Sequence, residues 1–158
     1  MSSKKKCNLW RNRRNMSILY AIFILVPALN FAQGQVNLQP YNLTATAMFL
    51  NTDVDVNGNI DRNEIDLSFR QYDVNHNNRV SRQEYTSYVD AHQPSLHVLS
   101  HALYDIYDVD SDDQLDHHDF DNFFALLDGD ANGLVSHFEF VRYWSILFTD
   151  LEHLHTKK

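Results

Sequence analysis

Residues 53–64 read DVDVNGNIDRNE, and the placement of oxygen in this window decides the fold. Asp53, Asp55 and Asn57 put side-chain oxygens at positions one, three and five. Gly58 occupies position six, Asn59 offers its backbone carbonyl at seven, Asp61 follows at nine, and Glu64 closes the window at twelve. A hard dication takes six to eight oxygens at about 2.4 Å, and alternating side chains, one carbonyl and a closing two-oxygen carboxylate can wrap it. The same offsets recur in residues 73–84 (DVNHNNRVSRQE), 108–119 (DVDSDDQLDHHD) and 128–139 (DGDANGLVSHFE). The ligand positions there are Asp73, Asn75, Asn77, Arg79, Ser81 and Glu84; then Asp108, Asp110, Asp112, Gln114, Asp116 and Asp119; then Asp128, Asp130, Asn132, Leu134, Ser136 and Glu139. An apolar residue stands at position eight of every window: Ile60, Val80, Leu115 and Val135. Merely solvated loops have no reason to repeat that.

The first and fourth windows match the full pattern, and the middle two depart from it in opposite ways. In the second, Asn78 replaces the turn glycine, and asparagine is the residue that next best tolerates a left-handed backbone. Its carboxylates are only Asp73 and Glu84, so it should hold a cation least well; Arg79 is harmless in principle, because position seven acts through its backbone. The third has charge in excess and a short closing residue. Asp119 reaches less far than a glutamate, and a one-oxygen closure suits six-coordinate Mg²⁺ better than Ca²⁺.

These residues resemble the calcium loops of the EF-hand superfamily, over roughly residues 41–153. The resemblance implies an all-α fold of helix-loop-helix units, Ca²⁺ as the bound ion, and the 24 positions named above as ligands, with Mg²⁺ possible in the loop 108–119. It is not a close match to calmodulin. Aromatic or apolar residues four and one before most loops (Phe49; Phe69 and Tyr72; Tyr104 and Tyr107; Phe124 and Leu127) form a helical stripe that reads as core.

The windows begin at residues 53, 73, 108 and 128, so the first and third are 55 apart and so are the second and fourth. The chain is a duplication. The spacing predicts helices near 41–53, 62–73, 82–93, 96–108, 117–128 and 137–153, with Pro94 between the two units and residues 35–40 an extended lead-in. A single helix must then leave the first loop and enter the second, and another must join the third to the fourth. Twelve helical residues span about 18 Å, which holds Ile60 away from Val80 and Leu115 away from Val135. Loops two and three should therefore pair through Val80 and Leu115, and loops one and four through Ile60 and Val135. Residues 41–158 would then be one interlocked domain.

The N-terminus reads as an address. Lys4, Lys5, Lys6, Arg11, Arg13 and Arg14 precede an apolar run from Ile18 to Ala32, and small residues follow, so residues 1–34 resemble a secretory signal peptide cleaved after Gly34. An uncleaved signal anchor with its basic end in the cytosol is the alternative. Asn42-Leu43-Thr44 is an N-glycosylation acceptor, which would make the product a glycoprotein. The only cysteine, Cys7, lies in the segment to be removed. Bound metal would then supply the staple that small exported domains often take from disulfides. The ending His155-Thr156-Lys157-Lys158 is no retention signal.

Beyond Gly34 the chain carries seven Lys+Arg against 21 Asp+Glu, a formal charge of −14, and 15 of those acids fall inside the four loops. This balance argues against a nucleic-acid partner and predicts strong self-repulsion without bound cations. No cysteine nucleophile and no glycine-rich phosphate cradle is present, so the chain reads as a non-enzyme. His117 and His118, at positions ten and eleven, should point away from the loop. A sensor that grips target helices needs soft, adaptable methionines, and the chain beyond Gly34 has only Met48. The expected role is therefore structural or buffering Ca²⁺ binding in an extracellular fluid or secretory lumen, with a protein or matrix partner open. A calcium sensor is the alternative.

Overall fold

The computed structural model describes residues 37–155. The basic segment, the apolar run, the cleavage point after Gly34, Cys7, the first two residues of the lead-in and residues 156–158 lie outside the described residues. Within them the chain is mostly helical: α1 (Tyr41–Thr52), α2 (Arg62–Arg70), α3 (Arg82–His92), α4 (His97–Tyr107), α5 (His117–Leu127), α6 (His137–Asp150) and α7 (Glu152–His155). Four two-residue strands sit inside the loops: β1 (Asn59–Ile60), β2 (Val80–Ser81), β3 (Gln114–Leu115) and β4 (Val135–Ser136). No helix among the described residues is long and apolar enough to cross a membrane.

Four of these helices start by one local device. Asp61, Ser81, Asp116 and Ser136 are the N-caps of α2, α3, α5 and α6, and each accepts a hydrogen bond from a backbone N–H of the first turn. The residue three places on (Glu64, Glu84, Asp119 or Glu139) returns a carboxylate to the cap's own N–H. This reciprocal box satisfies donors that a helix start leaves without partners. The last residue of each window is thus also the third residue of a helix.

Helix ends differ from the sequence expectation in two places. α2 stops at Arg70 instead of 73, because Tyr72 and Asp73 donate to carbonyls three residues back, Phe69 at 3.0 Å and Arg70 at 3.3 Å. Such bonds tighten the final turn. At the other three loops the first Asp donates four residues back, to Phe49, Tyr104 and Phe124, each at 2.9 Å. The final helix breaks at Leu151, and α7 follows as a separate turn. Between the units, Pro94–Leu96 forms a 3-10 turn, consistent with a proline at its first position.

Two antiparallel ladders join the loops across the molecule. β2 pairs with β3, Val80 opposite Leu115, and β1 pairs with β4, Ile60 opposite Val135. This is the pairing that the helix-length argument requires. α1 packs on α6, α3 on α4, and α2 on α5. A shift of 55 residues carries α1 onto α4 and α3 onto α6, so the first two contacts are copies of each other, while α2 meets its own counterpart. Arg62 and His117, 55 apart, accordingly face each other, with the guanidinium 3.2 Å from Nδ1.

Between the helices runs one continuous set of buried side chains. Phe69 stacks on Phe120 at 4.3 Å, Trp144 lies against Phe148 and Phe140, and Ile60, Val80, Leu115 and Val135 close the core beneath the ladders. Met48 is buried among them. Leu38, in the lead-in, is buried too, and its carbonyl accepts from the Thr44 hydroxyl at 2.8 Å. The described part of the lead-in therefore plugs the core and is held at the surface by Gln39, which donates to Glu152.

Candidate metal centres

Each loop is built by the same hydrogen bonds. The first Asp accepts from the N–H groups at positions five and six: Asp53 from Asn57 and Gly58 (2.9 Å each), Asp73 from Asn77 (3.1 Å) and Asn78 (2.9 Å), Asp108 from Asp112 and Asp113 (3.1 Å each), and Asp128 from Asn132 (3.0 Å) and Gly133 (2.8 Å). Position three accepts from the N–H at five, through Asp55, Asn75, Asp110 and Asp130. Position five accepts from the N–H at seven, through Asn57, Asn77, Asp112 and Asn132. These Asx-type turns curl the backbone around the side-chain oxygens.

The curl requires a left-handed residue at position six. Gly58 and Gly133 have φ of +86° and +85°, and the substitutes Asn78 and Asp113 accept the same region at φ 64° and 61°. Position four is left-handed as well, at Val56, His76, Ser111 and Ala131. Nothing in those four side chains signals it; for a β-branched residue such as Val56 this is a strained conformation.

The carboxylates converge differently in the four loops. Asp53, Asp55 and Glu64 bring oxygens within 4.8 Å of one another, and so do Asp128, Asp130 and Glu139. In the third loop the converging set is Asp108, Asp110 and Asp112. Asp119 stands apart from that set. It is 1% exposed, and its two oxygens accept from the N–H groups of Val109 (2.9 Å) and Asp116 (3.0 Å). Burial pushes its carboxyl above the ordinary aspartate value, against the pull of those two N–H groups. At Glu139 the Ser136 hydroxyl and N–H hold the carboxyl low. Glu84 is also low: burial acts to raise it, and the Ser81 N–H and hydroxyl outweigh that.

The second loop satisfies itself. Asn75 donates its side-chain amide to Glu84 at 2.7 Å, where the first and fourth loops bring two carboxylates together. A neutral donor at position three relieves the repulsion that a cation would otherwise have to neutralise. Asp61, Ser81, Asp116 and Ser136 spend a side-chain oxygen on helix capping, a second role that the spacing S/D-x-x-E/D also encodes. Asn59, Arg79, Gln114 and Leu134, at position seven, lie next to or within the short strands, where the backbone is held in register.

The Arg79 side chain has a role that the sequence reading overlooked. Its guanidinium crosses the ladder to Asp116 (3.4 Å) and Asp112 (3.9 Å), two ligand positions of the third loop. Arg82 reaches Asp113 (3.0 Å) and Asp105 (2.7 Å) and lies over the Tyr104 ring at 4.4 Å. The Tyr104 hydroxyl in turn lies 2.9 Å from the Val80 carbonyl and 2.8 Å from that of Asp113, tying the second and third loops together. The second loop thus lends positive charge to the over-acidic third. Because Arg79 is half-exposed, the competition is modest, about 0.2–1 kcal/mol. Arg79→Gln should raise cation affinity at the third loop by up to about fivefold at low salt, and the gain should fade as salt screens it. Equal affinities for variant and parent in a low-salt titration would show that the guanidinium does not compete.

His117 and His118 find their partners outside their own loop. His117 is engaged with Arg62 and Asp121, His118 with Asn122, and His155 packs on the Tyr41 ring while His153 is exposed. Comparison of the chain with known protein families, characterised proteins and solved structures finds no match to any of them.

Proposed function

We propose that this chain is a Ca²⁺-binding protein of the EF-hand type, whose loops hold the ion structurally or as a buffer in an extracellular or secretory-pathway compartment. The observation that carries this reading is the convergence of Asp53, Asp55 and Glu64, and of Asp128, Asp130 and Glu139, inside loops with a common hydrogen-bonded frame. All-oxygen donor sets of this kind suit a hard dication and not a thiophilic one. Four filled loops would offset +8 of the −14 carried beyond Gly34. The N-terminal address supports export, and Asn42 would be glycosylated on the way.

A structural or buffering role is favoured over sensing by the interior. Its contact surfaces are aromatic rings already packed on one another, with Met48 the one methionine among the described residues. Opening such a core would expose large apolar areas at about 25 cal/mol per Å². The third loop, built from three aspartates, is the one expected to accept Mg²⁺. The decisive measurement is a Ca²⁺ titration of residues 35–158 with Mg²⁺ as competitor, followed by calorimetry and circular dichroism together. Helix gain that saturates at high Ca²⁺, without newly exposed apolar surface, is the expected result. Absence of Ca²⁺ uptake overturns the reading; micromolar binding with dye-accessible apolar surface would replace the buffer with a sensor.

A further inference from the structure

We propose that His97, His101 and Asp90 form a site for a borderline divalent cation, Zn²⁺ or Cu²⁺, separate from the acidic loops. His97 and His101 stand four residues apart on α4 and so share one face of the helix. Their ring centroids are 4.8 Å apart. With imidazole nitrogens about 2.1 Å from a metal, two rings sharing one ion in a tetrahedral arrangement have centroids roughly 5 Å apart. The helix therefore already holds the pair at the needed separation. The rings meet edge to face, so what remains is rotation of the His101 ring about χ2, a soft torsion for histidine.

Asp90 supplies the orienting partner. Its carboxylate oxygens lie 2.8 and 3.0 Å from His97 Nδ1. A carboxylate in that place keeps the proton on Nδ1 and leaves Nε2 with its lone pair free, the arrangement by which proteins hold and strengthen a ligating imidazole. The group is also accessible: the His97 and Asp90 side chains are 55% and 41% exposed. Two imidazoles, with water in the remaining positions, favour Zn²⁺ or Cu²⁺ and offer nothing to Ca²⁺, which seeks oxygen. Asp90 lies on α3 and the histidines on α4, either side of the Pro94–Leu96 turn, so a bound ion would clasp the junction of the duplicated halves. The equivalent positions 55 residues earlier are Asn42 and Thr46, so the first unit has no copy of the site.

This inference stands whether or not the loops bind Ca²⁺. The test is calorimetric titration of residues 35–158 with Zn²⁺, and separately with Cu²⁺, in excess Ca²⁺ and Mg²⁺ to fill oxygen sites. One equivalent should bind, Cu²⁺ more tightly than Zn²⁺ as the ligand chemistry demands. Asp90→Asn should weaken it by about 10–100-fold, and the His97→Ala, His101→Ala double variant should abolish it while circular dichroism shows the fold intact. In proton NMR, Zn²⁺ should shift the imidazole resonances of His97 and His101 before those of the other seven histidines. No binding, Zn²⁺ tighter than Cu²⁺, undiminished binding by the double variant, or earlier shifts at His117 and His118 would each overturn it.

Discussion

Glu139→Gln and Glu64→Gln should each remove one Ca²⁺ site, while Glu84→Gln should cost the least bound ion of the three. A closing glutamate supplies two charged oxygens directly to the ion, so its loss should exceed the 10–100-fold penalty typical of merely supporting groups, giving more than about 100-fold. Both glutamates converge on two aspartates, whose mutual repulsion a cation between them would relieve. Glu84 has instead the amide of Asn75, and its loop holds one further carboxylate, Asp73. Folding stability should follow occupancy. A ligand present at a hundred times its Kd stabilises by about 2.7 kcal/mol, so losing one such site should lower Tm by roughly 10 °C in a chain of this size. Excess chelator at low salt should lower it further, because the loop charge then goes uncompensated. Equal Tm in chelator and in calcium, or the largest loss of bound ion at Glu84→Gln, would break the charge argument. Because Glu64, Glu84 and Glu139 also complete capping boxes, the comparison must be made in chelator too, where capping alone should separate variant from parent by only about 1 kcal/mol.

The second large effect is alkaline. Tyr72, Tyr85 and Tyr107 are at most 1% exposed, and burial pushes all three hydroxyls well above the ordinary tyrosine value. A group whose folded pKa lies above its unfolded one gives stability that is complete below the unfolded value and is lost as pH rises toward the folded value. The window therefore opens near pH 10, where tyrosines of the unfolded chain ionise. Each buried tyrosine contributes up to about 1.4 kcal/mol per pH unit, and three together about 4 kcal/mol. That exhausts a typical domain's stability within two or three units. Stability should thus fall from about pH 10, and unfolding should follow some two or three units higher, together with the ultraviolet signature of phenolate from the buried rings. The step should move to higher pH with calcium present, since a more stable fold keeps the rings buried longer. Phenolate at Tyr72, Tyr85 or Tyr107, resolved ring by ring in NMR, with the fold intact would show that these rings reach solvent without unfolding.

Much of the architecture was legible because it is written in local spacing. The four twelve-residue windows, the 55-residue shift and the helix between each pair of neighbouring loops follow from residue offsets alone. So does the cross-pairing of the loops: a helix of some nine to twelve residues is a rigid spacer, and Ile60 and Val80 at its two ends cannot meet. Val80 opposite Leu115 and Ile60 opposite Val135 are the consequence. Helix starts were equally local, since a cap and its carboxylate lie three residues apart.

Other features belong to the tertiary structure. Arg79 looked inert because its own loop uses only its backbone, yet its guanidinium finds Asp112 and Asp116 once the ladder lays the second loop along the third. Asp119 takes the same two N–H bonds, from Val109 and Asp116, that the longer Glu64 takes from Val54 and Asp61, yet only Glu64 joins its loop's converging set. Asp90 meets His97 only where α3 and α4 pack across the proline turn, and Leu38 is buried with its carbonyl tied to Thr44 of α1. Spacing along the chain determines which residues share a loop or a helix face, since backbone geometry is the same everywhere. Which charges and rings meet across elements is decided by close packing, and that depends on the whole set of side chains at once.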